Sequence, residues 1–255
     1  MKFIILASGS KGNSTLIIND KEQLILIDAG ISYKEIKEKI NRYGYDVENI
    51  KHVLITHEHD DHIKSISSFS NAKIYSLKDI SVANNYLEKY EEVNINGYEV
   101  MAIPLSHDVK CCGYVVKDNK ETLVYITDTG YVNYKTVKYI TNADYYIFES
   151  NHNVPMLMET KRPFFIKSRI LGDEGHLSNE VASDTLCDII GDKTKQIYLA
   201  HISQEANTKE KAINTLYSKA KEREIEIDHI FVNAADQNIE LTGGEYKYEK
   251  VSATV

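Results

Sequence analysis

The stretch THEHDDH, residues 56–62, places three histidines and three acids within seven positions. The run VLI before it, residues 53–55, is short, apolar and partly β-branched, which predicts a buried strand. Groups this polar are costly to bury, so they must lie where the strand leaves the core. In α/β folds, ligand sites form at that edge of the sheet. The stretch therefore predicts a core strand with a functional site at its carboxyl end.

Three further strands are predicted to end in the same way. Each carries one ligand-type side chain just past an apolar run: His107 after VMAIP, Asp128 after TLVYI and His201 after QIYLA. Four strand ends with this chemistry are expected to build one site along one edge of a sheet. A lone histidine elsewhere, such as His52 or His229, is more often a packed or solvated residue than a ligand.

The residue types indicate which ions this site would take. Imidazole and carboxylate suit zinc, manganese or iron when no thiolate is present. The stretch alone offers His57, His59, Asp61 and His62, which are too many for one ion that must also keep open positions for a substrate. Two divalent ions are therefore predicted. A solvated charged turn remains the alternative for this stretch taken by itself.

The rest of the pattern predicts a mixed α/β (α+β) fold in a single domain, residues 1–255. Strands dominate the N-terminal half, and strands and helices then alternate without a linker or a repeat. Helices are predicted at 32–44, with Ser32 as the N-cap, and at 78–90, 178–190 and 213–220.

Charge and cysteine usage narrow the functional classes. The formal net charge of −8 argues against a general electrostatic grip on nucleic acid, although it is compatible with a local basic groove or bound cations. Three cysteines without a CxxC motif predict neither a disulfide framework nor a thiolate zinc site, and a reducing cytoplasm is expected. No apolar stretch approaches the roughly 20 residues that a membrane span needs, so no contact with a membrane is expected.

The order HxHxDH, then His, Asp and His, each after a strand, resembles the metallo-β-lactamase fold superfamily. The resemblance covers nearly the whole chain and implies an αββα sandwich, in which two mixed β-sheets are covered by helices. It also implies a ligand set for two ions. One ion would be held by His57, His59 and His107, and the other by Asp61, His62 and His201, with Asp128 bridging.

The same resemblance implies a supporting residue and a class of chemistry. Asp28, in the motif LIDAG, would orient the metal ligands. His59 stands where the di-iron flavoproteins of this superfamily have an acid, so a hydrolase is favoured over a redox centre. The two divalent ions would be Zn or Mn, with Fe as a further option.

The stretches LASGSKGNST and GHLSN are similar to the YycJ/WalJ-like branch, bacterial proteins associated with 5′-to-3′ exonuclease activity on DNA. This implies a metal-dependent phosphodiester hydrolase that takes DNA rather than RNA. Asp61 would accept the proton of the attacking water. His176 would contact the phosphate or protonate the leaving group; alternatively, it only packs near the helix that begins at Ser178.

One basic stretch interleaved with aromatics, ETKRPFFIKSRI at residues 159–170, is the candidate substrate contact. Its spacing is similar to a proline–lysine–arginine motif of tRNA-processing relatives, which makes Lys167 and Arg169 the preferred phosphate contacts. Phe164 or Phe165 would stack a base. The alternative is a solvated loop with two core phenylalanines.

Asn13, in SGSKGN, and Ser178 are further candidates for substrate binding. Flexible backbone amides in SGSKGN would cradle a phosphate, and a bare hairpin turn is the alternative.

Two other functional classes remain open at this stage. One is a small-molecule hydrolase or an RNA nuclease of the same fold, the former acting on a thioester, a lactone or a cyclic phosphodiester. The other is a binding protein with a structural metal, which is disfavoured because a closed structural zinc site needs only four ligands. The oligomeric state is not predicted.

Overall fold

Two seven-stranded β-sheets form the framework of the protein. A computed structural model describes residues 1–245 of the 255-residue chain. The first sheet contains β1 (Lys2–Ala7), β2 (Ser14–Ile18), β3 (Leu24–Ile27), β4 (His52–Leu54), β5 (Lys73–Leu77), β6 (Asn85–Leu87) and β14 (Leu241–Gly244). The second sheet contains β7 (Glu92–Ile95), β8 (Tyr98–Leu105), β9 (Cys111–Lys117), β10 (Thr122–Ile126), β11 (Tyr145–Glu149), β12 (Gln196–Ala200) and β13 (Phe231–Ala234).

Both sheets are mixed, as predicted. The first has the order β14-β1-β2-β3-β4-β5-β6, and its strands from β3 to β6 run parallel. The second has the order β13-β12-β11-β10-β9-β8-β7, and its strands from β10 to β13 run parallel. In each sheet the parallel strands therefore present their carboxyl ends along one edge.

Seven α-helices are present among residues 1–245. They are α1 (Tyr33–Asn41), α2 (Asp60–Ile63), α3 (Tyr134–Ile140), α4 (Val154–Glu159), α5 (Phe164–Leu171), α6 (Asn179–Ile189) and α7 (Lys209–Glu222), and two short 3₁₀ turns lie at Val47–Asn49 and Ile66–Phe69. In this part of the chain, none of the helices combines the length and the apolarity that crossing a bilayer requires.

Successive side chains along a strand point to opposite faces, and both faces of the second sheet are buried. On β10, Leu123 and Tyr125 join the core between the sheets, whereas Val124 and Ile126 join the core beneath α6 and α7. From the first sheet, the Phe3 ring packs edge-on against rings of the second, at centroid distances of 5.5 Å to Tyr145 and 5.3 Å to Tyr198. The layers are therefore those of the predicted αββα sandwich.

The N-terminus of α1 confirms the predicted cap. The Glu35 backbone N–H donates to the Ser32 hydroxyl at 3.2 Å, and the Ser32 backbone N–H donates to the Glu35 carboxylate at 3.1 Å. This reciprocal capping box satisfies two backbone donors that the first helical turn leaves free. Ile36 and Ile40 then bury the inner face of the helix.

The predicted helix at 78–90 is wrong. The segment forms turns and then β6, which pairs in parallel with β5. Asn84 makes the difference, because its side-chain oxygen accepts from the Ile74 N–H at 2.9 Å and its own N–H donates to the Ile74 carbonyl at 3.0 Å. Ile80, Ala83 and Leu87 have helical spacing, but here the spacing reflects turns that bury apolar side chains.

Gly30, which follows β3, lies against the chain at the start of α2. A Cβ atom at Gly30 would lie 1.6 Å from the Asp61 carbonyl oxygen, and the same oxygen accepts from the Asn13 N–H at 2.8 Å. The glycine therefore allows two backbone segments to approach each other and holds the THEHDDH stretch against β3.

We expect Gly30→Ala to lower the free energy of unfolding by about 1–3 kcal/mol, the usual cost of overpacking. Urea denaturation measures this loss. Gly172→Ala is the matched control because its added Cβ would lie no closer than 3.4 Å to other atoms, an ordinary contact. Equal denaturation midpoints for Gly30→Ala and the unchanged protein would contradict this reading of the contact.

Candidate metal centre

The two sheets bring their parallel strand ends together at one edge of the sandwich. THEHDDH follows β4, whereas His107, Asp128 and His201 follow β8, β10 and β12. A cavity of about 130 Å³ opens there. Its lining includes His59, Asp61, His107, Asp128, His176 and His201. The predicted convergence of ligand-type residues on one edge is therefore present in the structure.

Three of the residues at strand ends have left-handed backbone conformations. The φ angles are +58° at Asp28, +58° at Asp128 and +55° at His201. Such conformations are uncommon outside glycine and persist only where the surrounding structure enforces them. Here each one turns the chain within two residues of the end of a strand.

His57, His59 and His107 form the first cluster of possible ligands, with one nitrogen of each within 4.8 Å of the others. His57 Nε2 lies 3.0 Å from His59 Nδ1. Burial holds the pKa of His57 well below its ordinary value and also lowers that of His107. These two imidazoles are therefore neutral and have a lone pair available for a metal ion.

A second cluster joins His57 and His62 to Asp128. His62 Nε2 lies 3.2 Å from Asp128 Oδ2 and 3.8 Å from Asp61 Oδ2. Burial lowers the pKa of His62, but the Asp28 and Asp128 carboxylates outweigh burial and hold that pKa well above its ordinary value. The environment of His62 thus strongly favours positive charge.

Asp28 lies directly beside His62. It is completely buried, and its Oδ2 lies 2.7 Å from His62 Nδ1, while its Oδ1 accepts from the Thr56 N–H at 2.9 Å. A proton on His62 Nδ1 leaves Nε2 directed at Asp128. Asp28 therefore fixes the direction of the His62 ring and keeps a proton on Nδ1.

Glu149, at the end of β11, is a site residue that the sequence analysis missed. Its Oε1 lies 2.8 Å from His201 Nδ1 and 2.9 Å from His176 Nδ1. Burial raises the pKa of Glu149, but His176 and His201 outweigh it and lower the pKa to about 2. The sequence did contain a signal for Glu149, because an acid ends the otherwise apolar strand YYIFE. Asp128 was identified in the same way, as an acid that follows the apolar run TLVYI.

Buried ring nitrogens without a hydrogen-bond partner indicate that this centre binds cations. The buried His107 Nδ1 and His201 Nε2 have no hydrogen-bond partner among the residues described. A buried ring nitrogen without a partner is unfavourable, and a bound cation would satisfy it. The donor set, imidazoles with carboxylates and no thiolate in the clusters, fits divalent metal ions.

Asp108 is a second residue that the sequence analysis missed. Its Oδ1 lies 3.3 Å from His59 Nε2 and 3.3 Å from His107 Nε2, and its Oδ2 lies 3.6 Å from Arg169 Nη1. The carboxylate thus connects the histidine cluster with the basic stretch. Its place directly after His107 was the only signal in the sequence.

Of the two predicted phosphate contacts, Lys167 and Arg169, only Arg169 reaches the cavity. Arg169 lines the cavity, but Lys167 is buried and its Nζ donates to the Met158 carbonyl at 2.6 Å. The cause is that this stretch forms the helix α5 rather than a loop. Residues two apart on a helix point about 200° apart, so both side chains cannot face one pocket.

Asn13 and Ser178 do not line the cavity either. Asn13 is completely buried, and its Nδ2 lies 2.9 Å from His62 Nε2. The Ser178 hydroxyl caps α6 by accepting from the Val181 N–H at 3.2 Å. Their predicted substrate contacts are replaced by contacts within the protein, and Ser10 is the residue of SGSKGN that reaches the cavity.

The two phenylalanines of the basic stretch are not core residues. Phe164 is 73% exposed and Phe165 is 70% exposed. Phe165 lies four positions before Arg169 on α5, so both side chains share one face of the helix. The alternative of two core phenylalanines is therefore wrong.

We expect Asp28→Ala to weaken binding of a divalent ion by about 10-fold to 100-fold, because His62 loses the acceptor that orients it. Titration of metal-free protein with zinc measures this affinity. Asp144→Ala is the control, since Asp144 is another buried carboxylate but pairs with Lys195 at 2.9 Å. Equal zinc affinities in the two variants would contradict an orienting role for Asp28.

Comparison with known proteins places this arrangement in a family. A family model described as a β-lactamase superfamily domain matches residues 23–202. Exodeoxyribonuclease YycJ of Bacillus anthracis is 36% identical over 228 residues, which cover 83% of this chain and 86% of the relative. Exodeoxyribonuclease WalJ of Streptococcus pneumoniae strain D39 is 34% identical over 246 residues, which cover 88% of this chain and 90% of the relative.

Solved structures show the same fold at low sequence identity. The metallo-β-lactamase fold protein YhfI from Bacillus subtilis has a TM-score of 0.66 and 18% identity, covering 95% of this chain and 99% of that one. The short form of human tRNase Z has a TM-score of 0.63 and 15% identity, covering 94% and 98%. Together, the matched model, the extended identity to two relatives and the shared architecture show that this chain belongs to the metallo-β-lactamase superfamily.

Proposed function

We propose that this protein is a metal-dependent phosphodiester hydrolase that removes nucleotides from DNA in the 5′-to-3′ direction. The observation that carries the proposal is His176, which Glu149 holds at 2.9 Å beside the cluster of possible metal ligands. A partly exposed imidazole in this position is suited to donate a proton to a leaving oxygen. The names of the YycJ and WalJ relatives support DNA as the substrate.

The ligand assignment follows the order of the motifs, and the first cluster supports it for one of the two ions. His57, His59 and His107 would hold one divalent ion, and Asp61, His62 and His201 the other, with Asp128 between them. When bound, two such ions would supply a hydroxide at neutral pH and neutralise charge on the phosphate. The donor set favours zinc or manganese, with iron as a further option.

The protein's own groups then handle the protons. Asp61 lines the cavity with a quarter of its side chain exposed and would accept a proton from the attacking water. As the bond from phosphorus to the 3′ oxygen breaks, His176 would give that oxygen its proton. Glu149 stabilises the protonated imidazole before transfer and keeps Nδ1 turned inward.

Arg169 is the proposed phosphate contact at the mouth of the cavity. The Arg169 side chain is 63% exposed, and its Nη1 lies 3.6 Å from Asp108 Oδ2. An exposed pair at this distance is weak, so a phosphate can replace the carboxylate with little loss. Phe165, one turn earlier on α5, offers a ring to the neighbouring base.

Two broader expectations remain part of this proposal. The chain would act as one domain, because one core connects both sheets and α1. The cytoplasm would be its location, an expectation that the three unpaired, buried cysteines support.

We expect metal-reconstituted protein to release mononucleotides progressively from 5′-labelled DNA, because two bound ions would supply the nucleophile. Asp128→Ala should reduce this release to background and also lower the metal content, since both ions would lose a ligand. Electrophoresis of 5′-labelled and 3′-labelled strands gives the direction of digestion. Intact DNA at full metal occupancy would contradict the proposal and favour RNA or a small ester as the substrate.

We expect His176→Ala to slow DNA cleavage by about 10²-fold to 10⁴-fold, the usual contribution of a general acid. Hydrolysis of bis(4-nitrophenyl) phosphate should fall less than tenfold, because its phenolate leaves without a proton. His229→Ala serves as the control, because His229 is an exposed histidine. Equal losses on both substrates would show that His176 does not act as an acid.

A further inference from the structure

A second cluster of aromatic and basic side chains lies outside the metal centre. A cavity of about 440 Å³ is lined by Tyr90, Tyr134, Lys135, Lys138 and Tyr139, and we call this surface the Tyr134 patch. Its volume falls within the range of ligand-binding clefts. These five lining residues include no acid, although the formal net charge of the protein is −8. Tyr90 and Tyr139 pack against the core beneath α6 and α7, whereas neither the reaction nor the core explains Tyr134 and the two lysines.

The most exposed ring of the patch is free to stack. Tyr134 is 78% exposed and begins α3 without joining either core. Tyr90 and Tyr139 are already stacked, with centroids 4.9 Å apart and planes inclined by 19°. Tyr90 is also held by a contact of 3.2 Å between its hydroxyl and Thr136 Oγ1. The patch thus combines a rigid aromatic floor with one available ring.

The two lysines give the patch uncompensated positive charge. Lys138 Nζ lies 4.6 Å from the centroid of the Tyr139 ring, and Lys135 Nζ lies 6.0 Å from that of Tyr134. Both are exposed, and neither forms an ion pair with a carboxylate of residues 1–245. An exposed ring beside two lysines matches the chemistry of a strand with negative phosphates and stackable bases.

The chain itself connects the patch to the metal centre. Tyr134 is six residues after Asp128, so their Cα atoms are at most about 20 Å apart. Between them, Gly130 donates its N–H to the Ser106 carbonyl at 3.0 Å, and a Cβ at Gly130 would lie 2.2 Å from the Asp173 carbonyl oxygen. The segment is therefore fixed beside His107 and the end of α5. A strand of about six nucleotides, at 3.4 Å each, spans this distance.

We propose that the Tyr134 patch binds the single strand of DNA that continues from the cleavage site, with Tyr134 stacking a base and Lys135 and Lys138 contacting phosphates. This inference rests on the proposed nuclease function and extends it by a second binding site. It makes the preferred substrate a strand several nucleotides long, because shorter strands engage only the metal centre and Arg169. Affinity would then rise with length and reach a plateau once both sites are filled.

The test compares Tyr134→Ala/Lys138→Ala with Tyr217→Ala/Lys221→Ala in metal-reconstituted protein. The second pair is a matched control, since it is also an exposed tyrosine and lysine four positions apart beside a cavity, on α7. The probes are fluorescent single-stranded DNAs of 2, 6, 12 and 20 nucleotides with phosphorothioate linkages, which resist cleavage. Anisotropy gives the dissociation constants, and bis(4-nitrophenyl) phosphate hydrolysis reports an intact centre.

The Tyr134→Ala/Lys138→Ala variant is expected to bind the 20-nucleotide strand about tenfold more weakly, the loss of one stacked base, and to bind the dinucleotide as before. Its salt dependence should weaken by about 0.7 in the logarithmic slope, the share of one phosphate contact. The control and the small ester should be unaffected. Equal binding of the 20-nucleotide strand by all three proteins, or equal losses in both variants, would overturn the inference while DNA cleavage stands. A protein that hydrolyses the ester but neither binds nor cuts DNA would overturn the proposed function together with it.

Discussion

The buried carboxylate of Asp128 is the constraint on which the rest of the structure depends. It lies between the two sheets, 3.2 Å from His62 Nε2 of the first and 3.3 Å from His201 Nδ1 of the second. A charge this deeply buried costs several kcal/mol unless opposite charge or hydrogen bonds compensate it. The sandwich therefore has to bring the ends of β4, β10 and β12 to one point, and the turns after β10 and β12 adopt left-handed backbone conformations.

Glu149 connects two histidines of this centre that have different proposed roles. One carboxylate oxygen contacts both His201, a proposed metal ligand, and His176, the proposed acid. The other oxygen accepts the backbone N–H groups of Thr129 at 2.9 Å and Leu177 at 3.2 Å, so the carboxylate cannot rotate. A single buried acid thus couples the position of a metal ligand to the position of a proton donor.

The electrostatics explain how an acidic protein can serve a polyanionic substrate. A net charge of −8 repels DNA over most of the surface, but binding depends on the local field rather than on the total. Divalent cations at the centre change the sign of the field there. Arg169 and the lysines of the Tyr134 patch add positive charge where a strand would pass. The remaining acidic surface disfavours other modes of binding.

Several features were predictable from the sequence because they depend on neighbours along the chain. Apolar, partly β-branched runs predicted the strands, Ser32 predicted a capped helix, and the polar residues after each strand predicted the edge that carries the site. The family resemblance added the pairing of ligands. Where local spacing was ambiguous, as in residues 78–90, pairing of β6 with β5 overrode the apparent helix.

By itself, the sequence determined the elements and the chemistry of their ends, since residue type and period are local properties. Only the tertiary structure decided which polar groups meet. It placed Glu149 between two histidines, turned Lys167 into the protein and left Phe164 and Phe165 in solvent. These outcomes depend on the direction in which each side chain leaves a helix or strand, and on what packs against it from distant parts of the chain.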